Sequence, residues 1–272
     1  MNQISFQTAN FVARPTGYEM NDGWLQGDTA TQEHFSPLET FADRFDELLS
    51  DVVALGFEAI DLWSAHLHAA WASDRHIAIA RELLERRSLP VLSLAGGFGG
   101  SLAELEGFCR IGRGVGCTIL GGRTPLLDGE LDGATELLER YGLQLAIENH
   151  PERAPAEVLE QIGDRPGVLG TVVDTGWWAT MGYDPVRAIE ELRPHILHVH
   201  LKDVLHEGLP HETCKWGDGI VPIEACVRKL LELGYEGALE IEHEPEHEDP
   251  SEACREMLGM LRAWLGRDGS AR

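Results

Sequence analysis

In the second half of the chain, four apolar runs end in acidic residues or a histidine. The first three runs end at Glu148, Asp174 and His200, and the fourth run carries the glutamates of 240–244. The two intervals between the first three residues are both 26 residues, about the length of one strand–helix unit. Groups spaced in this way are expected at equivalent heights on neighbouring parallel strands, where they can act on one ligand.

Alternation within the last two runs predicts which side chains point inward. Successive side chains of a strand face opposite sides, and the apolar positions should face the helices. The polar positions of the two runs are then His198, His200 and Lys202 in one and Glu240, Glu242 and Glu244 in the other. Burying so many ionisable groups without partners is costly. A divalent cation resolves this, because two glutamates, one aspartate and one histidine form an oxygen-rich set that suits Mn or Mg and also accepts Co or Zn.

The elements that must position these groups alternate along the whole chain. Short apolar or β-branched runs are followed by amphipathic stretches, which is the pattern of parallel strands joined by helices. Eight strands are predicted, at Ile4–Ala9, Ala59–Trp63, Val91–Leu94, Thr118–Gly121, Gln144–Glu148, Gly170–Asp174, Ile196–Lys202 and Ala238–Glu242.

Helix start signals fit this division. Ser36-Pro37-Leu38-Glu39 predicts a helix with Ser36 as its N-cap, and Ser101 with Glu104 predicts another. Eight strand–helix units favour an α/β fold of the (β/α)8 TIM barrel type. A doubly wound open sheet gives a similar local pattern, but no G-x-G-x-x-G follows the first strand. We therefore expect a single-domain barrel over residues 1–266 and a loose C-terminal tail at 267–272.

Length and charge agree with one globular domain and restrict its partners. The chain has 272 residues, and 22 Lys and Arg against 46 Asp and Glu give a net charge of −24. This charge opposes binding to nucleic acid or to an anionic membrane. No apolar run reaches the length of a membrane span and no signal peptide is apparent, so a cytoplasmic protein is expected. Five scattered cysteines predict buried free thiols rather than disulfides or a thiolate metal site.

Several short motifs occur in an order that is typical of one enzyme family. They are Ile4-Ser5-Phe6-Gln7-Thr8, Leu62-Trp63-Ser64-Ala65-His66, Ile147-Glu148-Asn149-His150, Asp174-Thr175-Gly176, His198-Val199-His200-Leu201-Lys202-Asp203, Gly217-Asp218-Gly219 and Gly234-Tyr235-Glu236-Gly237, with Glu242 after them. In this order they resemble the xylose isomerase-like barrel superfamily. The resemblance is to its sugar phosphate isomerase/epimerase group, which includes ketose 3-epimerases, hydroxypyruvate isomerases and inosose dehydratases.

The resemblance implies one divalent metal ion, held by Glu148, Asp174, His200 and Glu242. Glu240 is the rival for the last place. Glu242 is preferred because the family's ligand stands seven residues after the aromatic that Tyr235 matches. In such enzymes the two glutamates, here Glu148 and Glu242, also serve as acid and base. The implied chemistry is proton abstraction next to a carbonyl through a metal-stabilised enediolate.

Four further residues are expected to bind the substrate. His66 and His150 follow strand ends, where loops build the pocket of a barrel enzyme. Lys202 should point inward and hold a substrate oxygen, although an ion pair with a glutamate of the eighth strand explains it equally well. The resemblance places the loop that contains His211 over the active site.

Departures from the family pattern affect the choice of reaction. Ketose epimerases of the family carry a substrate-contacting histidine where Trp177 stands and an arginine where His206 stands. The run 200–204 is more similar to inosose dehydratases. We therefore predict a metal-dependent isomerase or epimerase that acts on a sugar, keto-sugar or polyol. A dehydratase of the inosose type is the alternative, and a non-catalytic barrel is a remote one.

Apurinic-site endonucleases share this barrel and bind three metals, so a nucleic-acid enzyme is a third class to consider. They need a histidine where this chain has Trp177, and another after the third strand, where it has Leu94-Ala95-Gly96-Gly97. The net charge of −24 also opposes DNA binding. The expected partner is a small-molecule sugar or polyol, and a homo-oligomer is an arrangement that the sequence allows.

Overall fold

Eight parallel strands close into a barrel in this computed structural model, which describes residues 2–267. The strands are β1 Ile4–Gln7, β2 Ile60–Trp63, β3 Val91–Gly97, β4 Ile119–Arg123, β5 Gln144–Glu148, β6 Leu169–Asp174, β7 Ile196–Leu201 and β10 Leu239–Ile241. Around the ring their order is β1, β10, β7, β6, β5, β4, β3 and β2. Two short strands, β8 Asp203–Val204 and β9 Thr213–Cys214, pair antiparallel in the loop after β7. The predicted (β/α)8 barrel is confirmed.

Helices surround the barrel in the described part of the chain. Their bounds are α1 Trp24–Phe35, α2 Leu38–Ala54, α3 Asp74–Arg87, α4 Leu102–Val115, α5 Leu126–Gly129, α6 Leu131–Tyr141, α7 Pro155–Ile162, α8 Thr175–Thr180, α9 Pro185–Leu192, α10 Ile223–Glu232 and α11 Ser251–Trp264. Short 3-10 turns occupy Thr8–Phe11, Arg14–Thr16, Ser64–His66 and Arg193–His195. Within residues 2–267, no helix combines the length and the apolar character that crossing a membrane requires.

The predicted strand positions are confirmed, with differences at their ends. β3 continues to Gly97 because Gly96 and Gly97 pair with Gly122 and Arg123 of β4. A Cβ atom at Gly122 would overlap the carbonyl oxygen of Gly96, so this close pairing requires glycine. β1 ends at Gln7, earlier than predicted, because the chain turns into a 3-10 segment there.

Helix capping follows the prediction at one site and not at the other. The hydroxyl of Ser101 accepts the N–H of Glu104 at the start of α4. The helix predicted to begin at Pro37 begins one residue later, at Leu38, with Pro37 as its N-cap, and Ser36 does not cap it with its side chain. The reason is that Ser36 ends the preceding helix, where its N–H donates to the carbonyl of Gln32.

Alternation sorts the side chains of β7 and β10 as the sequence predicts. Val199, Leu201 and Ile241 belong to the apolar core that the helices cover. The alternate positions hold buried polar groups, and His200 is paired directly with Asp174 of β6 and with Glu240 of β10. The five cysteines are buried and free, as predicted.

The two ends of the described chain meet at the amino-terminal side of the barrel. The side-chain amide of Asn2 donates to the carbonyls of Tyr235 and Gly237 at 2.9 and 2.8 Å. Arg267 donates from its guanidinium to the carbonyl of Asn2 at 2.7 Å. Residues 268–272, most of the predicted loose tail, lie outside the described residues, and the predicted domain limits of 1–266 stay a prediction.

Candidate functional site

A cavity of about 520 Å³ opens at the carboxyl ends of the barrel strands. Its wall contains the last residues of β4 and β5 and the residues that follow β7 and β10, so several strands contribute to it. Three tryptophans, Trp24, Trp63 and Trp177, also line it. The volume lies in the range of small-molecule sites, and this end of a barrel is where such enzymes carry their chemistry.

Four predicted side chains meet beside this cavity, three of them in its wall, and form what we term the rim cluster. They are Glu148, Asp174, His200 and Glu242. One ligand atom of each lies within 4.8 Å of all the others. The Nδ1 atom of His200 is 3.1 Å from a carboxylate oxygen of Glu148 and 3.1 Å from one of Glu242. The sequence therefore identified a group that the fold brings together, and its donor atoms could hold one metal ion.

Three buried atoms of the rim cluster have no hydrogen bond of regular geometry among the described residues. They are Asp174 Oδ2, His200 Nε2 and Glu242 Oε2. Each has only an ion-pair contact, at 3.2 Å to Lys202 Nζ, 3.3 Å to Glu240 Oε2 and 3.1 Å to His200 Nδ1 respectively. Buried polar atoms are normally hydrogen-bonded, so carboxylate oxygens with such incomplete contacts can take a further ligand. Burial, reinforced by Glu242 and Glu148 and only partly offset by Lys202, raises the pKa of Asp174 to about 6. The free protein thus holds more negative charge here than its own groups neutralise.

Lys202 is a buried cation beside the rim cluster. Its Nζ atom is 3.2 Å from Asp174 Oδ2, 3.1 Å from Glu242 Oε1 and 3.1 Å from Glu244 Oε2. Burial alone would lower the pKa of Lys202, but these carboxylates raise it well above its ordinary value. Lys202 lines the cavity, as predicted. The sequence left open whether Lys202 holds a substrate oxygen or forms an ion pair, and the structure contains the ion pair.

His150 forms a pair with Glu148 at the cavity wall. Its Nε2 atom is 3.0 Å from Glu148 Oε2, whereas the other oxygen of that carboxylate faces His200. Burial would raise the pKa of Glu148, but His150 and His200 lower it well below its ordinary value. Burial would lower the pKa of His150, and the charge of Glu148 raises it instead. Glu148 is therefore an ionised carboxylate with a proton-sharing neighbour.

A second group of ionisable side chains, the inner cluster, lies deeper in the barrel and comprises Asp61, His198 and Glu240. His198 Nε2 is 3.1 Å from Asp61 Oδ1 and 2.8 Å from Glu240 Oε2. The hydroxyl of Ser5 donates to the other oxygen of Asp61. None of the three lines the cavity of the described chain. Glu240, the rival for the fourth rim position, thus belongs mainly to this deeper group.

Charges within the inner cluster balance one another. Burial would raise the pKa of Asp61, but His198 lowers it to about 2. Burial would lower the pKa of His198, but Asp61 raises it to about 9. Burial, reinforced by Asp61, raises the pKa of Glu240 well above its ordinary value. His198, His200 and Glu240 also have the spacing of a metal site, but His198 is already held between two carboxyl groups.

Trp177 holds two histidines at the cavity wall. Its ring stacks on His150 with centroids 4.7 Å apart and on His211 with centroids 3.9 Å apart. The Nδ1 atom of His211 is 2.7 Å from the hydroxyl of Thr180. Its Nε2 atom is buried without a hydrogen-bond partner among the described residues. His150 and His211 therefore line the cavity, as predicted, and Trp177 fixes both rings.

His66 is the one predicted substrate-binding residue that does not line the cavity. Its ring packs edge-on against Phe35 and Trp63 and contacts the hydroxyl of Thr8 at 3.2 Å. Burial lowers the pKa of His66 to about 3, so the ring is neutral. The 3-10 turn that follows β2 carries His66 beneath Trp63, and this explains why it supports the wall and does not face the ligand.

Arg123 and Glu244 line the cavity and were not singled out from the sequence. Arg123 ends β4, and its guanidinium contacts both carboxylate oxygens of Glu152 at 2.7 and 2.8 Å. Its place at a strand end was the available signal, because such positions face the site in a barrel. Glu244 follows β10 and contacts Lys202. The alternation of side chains predicted that Glu244 points inward, but nothing in the sequence distinguished Glu244 from the acidic loop that follows.

Comparisons with known proteins concern the family and the fold. Residues 130–264 match the family described as the xylose isomerase-like TIM barrel. An inosose dehydratase of Geobacillus kaustophilus is 31% identical over 149 residues, which cover 47% of this chain and 46% of that protein. An uncharacterized protein of Methanocaldococcus jannaschii is 32% identical over 123 residues, or 42% of this chain and 41% of that protein. Each match spans less than half of the relative's own length.

Solved structures share the fold over nearly the whole chain. A xylose isomerase-like TIM barrel protein from Mycobacterium smegmatis, in complex with magnesium, has a TM-score of 0.71 at 20% identity and covers 97% of each chain. At this identity the likeness concerns the fold alone. The family match over residues 130–264 and the closed barrel support the predicted resemblance to the xylose isomerase-like TIM barrels.

Proposed function

We propose that this protein is a divalent-metal-dependent isomerase or epimerase that acts on a sugar, keto-sugar or polyol by abstracting a proton next to a carbonyl. The observation that carries the proposal is the rim cluster, whose four ligand atoms lie within 4.8 Å of one another beside the cavity. A small-molecule substrate and a cytoplasmic location belong to the same proposal, and self-association stays a prediction.

The donor set of the rim cluster fits a divalent cation. Three carboxylates and one imidazole suit Mg or Mn and also accept Zn or Co. The unpartnered oxygens of Asp174 and Glu242 are the atoms that such an ion would satisfy, and Glu148 and His200 would complete its shell. When bound, the metal supplies a Lewis acid that holds substrate oxygens and stabilises negative charge.

Glu148 and Glu242 are suited to proton transfer in this proposal, but in different surroundings. Glu148 Oε2 is 3.0 Å from His150 Nε2, and, against the effect of burial, this neighbour lowers the pKa of Glu148 and keeps the carboxylate ionised, the form that a base requires. Glu242 Oε1 is held by Lys202, which keeps that carboxylate ionised and fixes its orientation. The two carboxylates approach His200 from two different strands, and a substrate between them would meet one base on each side.

The remaining wall residues orient the substrate. His211 offers its unpartnered Nε2 atom to a substrate hydroxyl, and burial, reinforced by Lys202, lowers its pKa to about 3, so the ring stays neutral. Trp177 keeps this ring and that of His150 parallel. Lys202, held by three carboxylates, sets the local charge and also borders the cavity.

The direct test combines metal content with hydrogen exchange. The purified protein is analysed for bound Mg, Mn, Co and Zn, and then incubated with ketoses and inososes in deuterated water. We expect about one divalent ion per chain and deuterium at the carbon next to the carbonyl of the true substrate. A filled metal site with no exchange in any candidate would contradict proton abstraction.

A matched pair of variants separates catalysis from binding. Glu148→Gln should abolish exchange, whereas His206→Asn, a change in the exposed loop after β7, should leave it unchanged. A non-catalytic barrel would instead show no bound metal, and Glu148→Gln would alter no measurable property.

A dehydratase is the second candidate, because the run His200–Val204 resembles inosose dehydratases and one such enzyme matches 47% of this chain. Water elimination starts with the same proton abstraction, so the same residues serve both reactions. The product distinguishes them: loss of water lowers the mass by one water and creates a conjugated enone or a diketone that absorbs in the ultraviolet. Epimerisation conserves the mass.

A further inference from the structure

We propose that the substrate of this site is an uncharged polyhydroxylated ring, such as a pyranose ketose or a cyclic keto-polyol, and that phosphorylated sugars are excluded. This inference rests on the proposed function, whose substrate class it narrows. It follows from four features of the cavity: its cations, its helix ends, its free hydrogen-bonding atom and its exposed tryptophan.

Both basic side chains of the cavity wall are already paired with carboxylates. Arg123 contacts the two oxygens of Glu152, a side chain that is only 5% exposed. Lys202 has carboxylate oxygens of three residues within 3.2 Å. A phosphate group needs Arg or Lys side chains or free N–H groups to replace its water. Neither basic side chain of the wall is available for that.

Carboxylates also outnumber cations around the ligand space. The cavity is lined by two basic side chains, Arg123 and Lys202, and by four glutamates, which are Glu148, Glu242, Glu244 and Glu246. Asp174, which is not a lining residue, has a carboxylate oxygen within 4.8 Å of ligand atoms of Glu148 and Glu242. One divalent ion offsets two of these charges, so the loaded site stays close to neutral or negative. A phosphate dianion entering a buried site of this kind would be repelled.

At two helix amino termini beside this wall, a carboxylate of the protein accepts hydrogen bonds at the start of the helix, whereas α1, which begins at the lining residue Trp24, has no side-chain cap. Helix ends of this type bind phosphate through free backbone N–H groups. At α8, Asp174 accepts the N–H of Trp177 at 2.9 Å. At the end of the glycine-rich segment 96–100, Glu104 accepts the N–H of Gly100 at 3.1 Å and the hydroxyl of Ser101 at 2.8 Å. This segment therefore carries an internal anion in the place that a phosphate would take.

The groups that remain free suit a neutral ring. His211 Nε2 is a buried, unpartnered hydrogen-bonding atom of a residue that lines the cavity, and a hydroxyl satisfies it without a charge. Trp24 is 36% exposed and stands edge-on to Trp63 at 5.0 Å, so it presents apolar ring surface to the same cavity. The C–H face of a sugar or cyclitol ring can cover such a surface.

Binding measurements without turnover test the substrate class. Calorimetric titrations of the Mn²⁺-loaded protein compare D-fructose with D-fructose 1-phosphate and myo-inositol with myo-inositol 1-phosphate, with scyllo-inosose as a further neutral ring. Within each pair the ring is the same and only the phosphate differs. We expect each neutral ring to bind at least about tenfold more tightly than its phosphate ester. Equal or tighter binding of the esters, or no neutral ring that binds, would overturn the inference.

Variants of the wall sharpen the same measurement. Trp24→Ala should weaken scyllo-inosose binding about tenfold, Trp24→Phe should restore most of it, and Leu25→Ala, at a 75% exposed neighbour, should have no effect. Unchanged affinity in Trp24→Ala would refute the role of the ring face. Phosphate-ester binding that Arg123→Gln abolishes would show that Arg123 is an anion site, contrary to the inference.

The outcomes distinguish this inference from the proposed function. Tight binding of neutral rings without deuterium exchange would leave the substrate class standing and refute the isomerase. Exchange seen only with a phosphate ester would do the opposite.

Discussion

The rim cluster and the inner cluster contain the same kinds of side chain, yet they differ in their access to the cavity. In the inner cluster, one histidine lies between two carboxyl groups, a serine hydroxyl contacts one of them, and none of the three ionisable side chains lines the cavity of the described chain. In the rim cluster, Glu148, His200 and Glu242 line the cavity. Both clusters contain buried carboxylate oxygens without a hydrogen-bond partner among the described residues, and these are Asp61 Oδ1 and Glu240 Oε1 inside and Asp174 Oδ2 and Glu242 Oε2 at the rim. A set closed off from the cavity serves the fold, whereas a set open to the cavity can offer its atoms to a ligand.

This comparison teaches which ionisable groups in a barrel deserve a functional interpretation. Residue type and strand position are shared by the two clusters, since His198 and His200 are two residues apart on β7. Access to the cavity separates them. Substitutions should accordingly change chemistry at the rim and stability inside.

The largest difference is expected from Glu148→Gln. Loss of a positioned base should reduce the rate of deuterium exchange about 1,000-fold, which corresponds to about 4 kcal/mol of transition-state free energy. The folded structure should persist, because the amide keeps a similar shape and can still contact His150. Exchange rates by mass spectrometry and far-ultraviolet circular dichroism give the two readouts. A loss of folding in parallel with activity would blur the distinction between the clusters.

The inner cluster should respond in stability. His198→Leu leaves Asp61 as a buried charge without its cation, and breaking such a pair typically costs several kcal/mol. We expect the free energy of unfolding in urea to fall by about 3 kcal/mol. Any folded fraction should retain its divalent metal. Near-wild-type stability of this variant would mean that the ion pairs of His198 contribute little to the fold.

Removal of the bound metal should lower the thermal stability of the protein through the rim cluster. A ligand present at 100 times its Kd stabilises the folded state by about 2.7 kcal/mol, so EDTA should lower the melting temperature by several degrees. The Asp174→Asn variant should lose most of this response. If EDTA has no effect on the wild type and its metal content is nil, the open set does not hold an ion under these conditions.

In the metal-free protein, a substitution at the rim cluster should raise the free energy of unfolding. The pKa of Asp174 is raised from its ordinary value of 3.8 to about 6, so its ionisation is disfavoured in the folded state. The contribution of Asp174 to stability is therefore full below about pH 4 and is lost as the pH rises through about 6. In EDTA at pH 8, Asp174→Asn should be more stable than wild type by about 2 kcal/mol. The gain should vanish near pH 4, and urea titrations at both pH values check it.

A surface ion pair provides the smallest effect and an outside reference. Arg87 contacts both carboxylate oxygens of Asp46 at 2.8 Å and lowers the pKa of Asp46 through this hydrogen bond. Because the pKa of Asp46 is lowered in the folded state, this carboxylate stabilises the fold at pH values above its ordinary pKa. The stabilisation is lost as the pH falls through the lowered pKa. Because Asp46 is 36% exposed, Asp46→Asn should cost only about 0.5 kcal/mol at pH 7 and less in acid. Deuterium exchange should be unaffected.

Much of the barrel could be predicted because its signals are local. Alternation and apolar run length depend on each strand alone, and β5 was predicted residue by residue. The end of β3 could not be, because Gly96 and Gly97 are in a strand only through pairing with β4. Ser36 was predicted as an N-cap for a similar reason. A local motif does not show that the preceding helix, α1, extends far enough for Ser36 to be its C-cap.

The site was predictable where strand ends alone decide position. The rim cluster follows from equal spacing on neighbouring strands, which the barrel converts into proximity. His66 and Arg123 show the limit. A 3-10 turn carries the first away from the cavity, and a distant carboxylate, Glu152, decides that the second is a paired cation. Neither a turn geometry nor a partner 29 residues away can be read from a motif.

The contact between Arg267 and Asn2 has a practical consequence for experiments on this protein. Both described ends lie at the face of the barrel opposite the cavity, separated from it by a strand length of roughly 20 Å. A tag or a surface attached through either end would leave the cavity mouth pointing into solution, so immobilised protein suits the ligand titrations above. Because the ends touch, a short linker could also join them, and new ends could be opened in an exposed loop without parting β1 from β10.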